Sequence, residues 1–305
     1  MRALLIWLIT FMVAVPVAQV QAQAQAQDVP RAPVGWSGQI EGFTLWQGES
    51  ALSNGGDFAI NRGVLRGGAF YRWASGTSAG LQLSLGRSDY RFRNTAAKPW
   101  DDITDLQVSA PIRFRTGERG FVFLAPSLRY SHESGTDMQS GRTYGILAGI
   151  AWRVSPNLTI GPGLGVFTQI EDDDLDIFPA LLIDWQFADR WALSTGGGLG
   201  ATRGPGLSLT YDISDSFNIS LSARSERVRF RLNNSGLAPN GVGQDRSTPV
   251  VLTANFEPNP AVSLNGFVGA EFNGSLKLEN ATGTVISHQS YDTAPIAGFA
   301  FRLRF

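Results

Sequence analysis

The segment Tyr130-Ser131-His132-Glu133-Ser134-Gly135 sets an imidazole two residues from a hydroxyl. A serine becomes a nucleophile when an adjacent base takes its proton, and that base needs an acid or amide to orient it. Asp137 and Gln139 are the nearby candidates for that third role. The other histidine, His288, stands in a polar stretch and is expected to be solvated. The run Glu171-Asp172-Asp173-Asp174-Leu175-Asp176 could gather a hard cation through carboxylate oxygens, but it lacks the glycine that turns a calcium-binding loop. The absence of cysteine excludes thiolate zinc sites, iron–sulfur clusters and cysteine nucleophiles. The phosphate-binding GxxxxGK[ST] pattern and the zinc-binding HExxH pattern are both missing. Gly196 to Gly200 fits part of a dinucleotide fingerprint, but no helix pattern follows it. No cofactor and no resident metal is expected.

The chain of 305 residues carries 25 basic and 26 acidic side chains, for a formal net charge of -1. A protein that neutralises phosphates shows a basic excess, so nucleic acid is excluded as a partner. Arginine supplies nearly all the positive charge, the only lysines being Lys98 and Lys277. Residues 1–26 have the form of an export signal: Arg2, an apolar run from Ala3 to Val20 broken by Pro16, then small residues at Ala22, Ala24 and Ala26. Residues 27–36 read as a short linker, and 37–305 as one domain.

That domain is dominated by two-residue alternation, the period of a strand. Leu106, Val108, Ala110, Ile112 and Phe114 alternate with Asp105, Gln107, Ser109, Pro111 and Arg113. The same holds for Leu81, Leu83 and Leu85, for Tyr144 to Trp152, and for Ile177, Leu181, Ile183 and Trp185. It recurs in Leu207 to Ile213, Phe217 to Leu221, Val250 to Phe256 and Val262 to Phe272. Short connections such as Ser155-Pro156-Asn157 and Ser214-Asp215-Ser216 alternate with longer ones. The longer connections are Asn94 to Asp102, Glu133 to Gly141, Glu171 to Asp176, Leu232 to Ser247 and Asn273 to Thr293. About fourteen strands fit, at ~11 residues per tilted strand. The count falls to twelve if Asp57 to Leu65 is loop or bulge.

Trp152, Trp185, Phe187, Trp191, Phe217 and Phe256 flank the short turns, where an interfacial aromatic girdle would lie. Phe299, Phe301, Leu303 and Phe305 form one face of the final strand, opposite Arg302 and Arg304. This ending resembles the terminal insertion signal of bacterial outer-membrane β-barrels, whose last residue is typically phenylalanine. The resemblance covers the whole mature chain, and Trp185 to Leu232, with its Arg-Phe-Arg-Leu ending, looks like a family of uncharacterised outer-membrane barrels of about this length. It implies an all-β fold, a single up-and-down antiparallel barrel reached through the periplasm. Outer-membrane lipid, lipopolysaccharide and the barrel-assembly machinery are the implied partners, with the acidic run as a possible lipopolysaccharide contact through divalent ions. The Tyr130 to Gly135 segment resembles the His-x-Ser segment of outer-membrane phospholipases and lipid A deacylases, although those families follow the serine with asparagine where this chain has Gly135.

If the apolar positions face lipid, the lumen is lined by Arg113, Arg115, Arg129, Arg153, Asp184, Asp212, Arg224, Glu271, Arg302 and Arg304. Glycines 161, 163 and 165 and glycines 196, 198 and 200 face inward too, with Phe167, Phe178 and Phe267 available to fill the space. Fourteen strands lie between barrels packed with side chains and those that hold water, so both an open and an occluded lumen fit. The expected function is a non-enzymatic pore, transporter or structural envelope protein for small solutes, the alternative being a lipid hydrolase using His132 and Ser134. A soluble exported sandwich is the remaining reading.

Overall fold

A computed structural model describes residues 34–170, 172–195 and 206–305, of which 172–174 are described by backbone alone. The signal-like residues 1–26, Glu171 and the glycines 196, 198 and 200 lie outside the described side chains.

The chain forms one closed antiparallel sheet. Its strand segments are β1 (Gly35–Ala51), β2 (Asp57–Arg72), β3 (Ser78–Arg93), β4 (Ile103–Ser109), β5 (Ile112–Thr116), β6 (Gly120–Glu133), β7 (Arg142–Ser155), β8 (Leu158–Gln169), β9 (Asp172–Ala188), β10 (Trp191–Thr195), β11 (Gly206–Ser214), β12 (Phe217–Arg224), β13 (Glu226–Arg231), β14 (Val242–Asn259), β15 (Val262–Glu279), β16 (Val285–Tyr291) and β17 (Ala294–Arg304). Three barrel strands are interrupted, giving the pairs β4 and β5, β12 and β13, and β16 and β17, so the wall has fourteen strands. The barrel closes where Gln39–Gln47 of β1 pairs with Ile296–Arg304 of β17. Closure removes the unpaired edges that an open sheet would expose.

The alternation decides which face points where. Leu81 is 61% exposed and Leu221 is 50% exposed, as are their equivalents around the ring. An apolar belt of this extent is foreign to a protein surface bathed in water. At the end bearing the tight turns, Trp185 meets Phe187 at 5.3 Å, Phe187 meets Trp191 at 6.4 Å, and Trp191 meets Tyr211 at 4.8 Å between ring centroids. Trp152 and Phe256 are exposed at the same end, and Phe217 is half-buried. Trp36, Tyr71 and Trp73 extend this ring across β1 and β2, with centroids 5.2 and 4.9 Å apart.

The closing seam uses glycine to make room for aromatic rings. A Cβ on Gly42 would stand 2.1 Å from the Phe301 ring, and one on Gly38 would stand 2.3 Å from the Phe305 ring. Phe299, Leu303 and Phe305 are exposed on the outer surface of the same strand.

Three expected loops are partly strand. Asp172 to Asp176 belongs to β9, Val242 to Ser247 opens β14, and Asn273 to Thr293 holds the end of β15 and all of β16. Polar composition suggested loops, yet Asp172 to Asp176 continues the pairing of β8 with β9, and the ends of β14 and β15 pair with β13 and β16. Asp57 to Leu65 is regular strand in β2, paired residue for residue with β3.

Candidate functional site

The inward set includes short polar side chains on six of the strands: Ser84, Ser127, Thr159, Ser208, Ser220 and Thr253. At the end of the barrel with the tight turns the inward face carries Arg113, Arg115 and Arg153, all exposed, beside Phe121 and Phe123. The opposite end, bearing the longer loops, is filled.

The filling comes from β13. β12 runs in the wall between β11 and β14. Beyond Ser225 the chain keeps its pairing with β14, now at Val242–Ser247, but bends inward. Its far end, Arg231, bridges in parallel to His132 on β6, a strand separated from β12 in the wall by β7 to β11. The β13–β14 hairpin therefore crosses the barrel mouth from one side to the other.

Each face of β13 meets a different wall. Glu226 lies 3.4 Å from Arg62 of β2, and Arg62 also lies 4.0 Å from Asp245 of the returning strand. Tyr90 of β3 donates to Asp245 at 2.9 Å, while Tyr291 donates to Asp245 at 3.2 Å and to Glu271 at 3.1 Å. Phe230 is fully buried and meets the Trp100 ring edge-on at 5.1 Å. Around it Phe58, Ile60, Tyr90, Leu232, Leu276 and Leu278 form a dry cluster. On the other face Arg227 donates to Gln169 at 3.0 Å, and Arg229 donates to the Ile170 carbonyl at 3.1 Å and to Glu279 at 2.7 Å. Arg231 donates to the Ser140 carbonyl at 3.0 Å and to the Asn240 carbonyl at 2.7 Å. Glu133 accepts from the Asn233 amide at 2.8 Å, which ties the hairpin tip to β6.

Two small hollows remain beside the hairpin. One is bounded by Arg129, Thr143, Gln169, Asp176 and Arg227, the other by Arg62, Ser88, Asp105, Ser131 and Val228.

The predicted lumen residues fall into distinct settings. Arg129 is buried and paired with Asp105 at 2.5 Å, and Arg224 is paired with Glu226 at 2.6 Å. Glu271 is buried under Tyr291. Arg302 joins Glu41, which also holds Arg66 at 3.2 Å, and Arg304 donates to the Pro260 carbonyl at 3.4 Å. Arg113, Arg115 and Arg153 stand exposed near the tight turns, with Asp184 and Asp212 farther round the ring. Glycine makes room inside as well as outside. A Cβ on Gly165 would stand 2.3 Å from the Phe178 ring, which stacks on Phe167 at 5.8 Å. Phe267 stacks on Phe43 at 5.7 Å.

His132 faces outward with Tyr130, opposite Thr104 of β4. Its Nδ1 is 3.1 Å from the Glu133 carbonyl oxygen, and Ser134 lies exposed in the following turn. No hydrogen bond joins His132 to Ser134 among the described residues. Asp137 caps the short 3₁₀ turn Met138–Gly141 by accepting from Gln139, so neither orients His132 in this arrangement.

Sequence reasoning missed Arg62, Tyr90, Glu226, Asp245 and Tyr291. The available signal was a change of phase. Apolar side chains occupy odd positions in β12, Phe217, Ile219, Leu221 and Ala223, and even positions in β13, Val228, Phe230 and Leu232. A one-residue slip of that kind turns the apolar face to the other side of the sheet.

A family described as "Domain of unknown function (DUF6268)" matches residues 143–295. The chain belongs to the DUF6268 family. The matched span runs from β7 to the start of β17 and so contains the lumenal hairpin. No curated protein matches the sequence. Among solved structures, the COG4313 outer membrane channel from Pseudomonas putida F1 is similar with a TM-score of 0.50 and 12% identity, over 90% of this chain and 96% of that one. A Pseudomonas aeruginosa FadL homologue gives a TM-score of 0.48 at 11% identity, over 89% and 90% of the two chains. The P. putida toluene transporter TodX gives 0.46 at 9% identity, over 90% and 91%. The first of these supports the barrel fold of this DUF6268 chain.

Proposed function

We propose that this chain is a non-enzymatic outer-membrane barrel that passes small solutes when its lumenal hairpin moves. The observation that carries this reading is the β13–β14 hairpin, whose tip crosses to β6 and is held to the facing wall by side-chain hydrogen bonds, ion pairs and a buried apolar cluster. The exposed apolar belt and the aromatic ring at the turn end support a bilayer location. The tight turns then face the periplasm and the long loops the exterior, with outer-membrane lipid and lipopolysaccharide around the wall and the assembly machinery inserting it. Residues 1–26 direct export in this reading.

The named use of the COG4313 relative as a channel agrees with a solute pathway. Swelling of protein-containing liposomes in small sugars and amino acids tests the proposal. Swelling above that of protein-free liposomes is expected, and equal rates for every solute would overturn it.

A further inference from the structure

The lumen treats its arginines in two ways. At the loop end and in the middle, Arg62, Arg66, Arg129 and Arg229 each face a carboxylate, and near the chain end Arg302 is paired with Glu41. At the turn end, Arg72, Arg113, Arg115 and Arg153 have no ion pair among the described residues. Backbone register brings these four together. Arg72 pairs with Ser78 and Ser78 with Arg113, so Arg72 and Arg113 are two strands apart, about 10 Å between backbones. Arg115 is the next inward residue of β5 and sits opposite Phe121, whose β7 partner Ala151 precedes Arg153 on the same face.

The guanidinium of Arg113 is held in place, its Cζ 3.6 Å above the centroid of the Phe121 ring. Arg115 donates to the Glu118 carbonyl at 3.4 Å and leaves most of its fork free. Of the inward carboxylates, Asp184 on β9 stands two strands from Arg153, across Thr159, and Asp212 on β11 lies farther round the ring, so both border the arginine side and would press an anion toward it. Arg113, Arg115 and Arg153 are exposed, so the cluster is reachable from solvent at the turn end.

We propose that this vestibule binds small multivalent oxyanions, of the phosphate, sulfate or polycarboxylate class. Planar guanidinium groups pair with two oxygens at once and give such anions a geometric as well as an electrostatic fit. The inference deepens the proposed solute pathway by naming its substrate class, and it rests on that reading only in requiring that the turn end opens to solvent.

Calorimetric titration of the full chain in detergent with inorganic pyrophosphate at low salt tests it. Saturable binding is expected, weakened about tenfold in Arg113→Gln/Arg153→Gln and progressively lost as sodium chloride rises past the concentration where the screening length is ~8 Å. Arg190→Gln, at the turn joining β9 and β10, should leave the affinity unchanged. Heat-modifiable gel mobility shows that each variant keeps its barrel. No saturable binding, or binding that survives the double substitution, overturns the inference. Failed liposome swelling with pyrophosphate binding intact would instead remove the solute pathway alone.

Discussion

Arg62 on β2 and Glu226 at the start of β13 meet at 3.4 Å inside the barrel mouth, with Asp245 of the returning strand 4.0 Å from the same guanidinium. One wall arginine thus clamps both legs of the hairpin. All three side chains are largely buried. Removing one member of a buried pair leaves an uncompensated charge, at a cost of about 3–5 kcal/mol. Arg62→Ala is therefore expected to loosen the hairpin while the wall stays closed. Amide hydrogen exchange should show faster exchange over residues 226–247 and unchanged protection in β7 and β8, and uniform protection in both regions would contradict the clamp.

The dry cluster supplies the second hold. Phe230 is fully buried against Trp100 and Tyr90. Large-to-small changes at such a position cost about 3–5 kcal/mol. Phe230→Ala should increase proteolytic nicking between Asn233 and Gly241 in the otherwise resistant barrel, and a resistant loop would show that the cluster does not anchor the hairpin.

Glycine is used at two kinds of wall position, and they should respond differently. A Cβ on Gly161 would stand 1.8 Å from the Ile150 carbonyl oxygen, whereas Gly266 has nothing within 4 Å of such an atom. Overpacking against backbone typically costs about 1–3 kcal/mol. Gly161→Ala should lower the urea midpoint of the folded barrel in detergent and Gly266→Ala should not, and equal midpoints would mean that the strand at Gly161 can give way.

The wall was legible in the sequence because a strand exposed to lipid on one side and to a polar lumen on the other repeats every two residues, as Leu81, Leu83 and Leu85 do. The plug was not. β13 alternates arginine with Val228 and Phe230 just as a wall strand would, and alternation alone does not tell lipid from a dry interior. The phase change at Ser225 separates the two, but it is a single residue. Asn273 acts similarly. Its φ of 53° breaks the rhythm of β15, so that Phe272 is exposed outside while Leu276 and Leu278, at the same parity, are buried in the cluster. A short polar residue accepts that conformation at little cost. The aromatic ring was read from Trp152 to Phe256, and its continuation through Trp36, Tyr71 and Trp73 was missed because no clean alternation marks the first hairpin.

His132 and Ser134 supply a separate test of the non-enzymatic reading. The imidazole is turned to the Glu133 carbonyl rather than to the serine. The full chain is expected to release no fatty acid from phospholipid or lipid A in detergent, with Ser134→Ala giving the same trace. Release by the unmodified chain that disappears in Ser134→Ala would contradict this reading.

Single-channel recording of a hairpin deletion tests the closed lumen most directly. Ala223 and Val250 are already paired in the wall, so residues 226–247, which include the first six residues of β14, can be replaced by a turn of about four residues while β12 and the wall part of β14 from Thr248 onward keep their pairing. The intact chain should stay mostly closed with brief openings, and the shortened chain should show a steady step several times larger, as an emptied barrel of this size allows. Identical conductance in the two proteins would mean that the hairpin does not close the barrel.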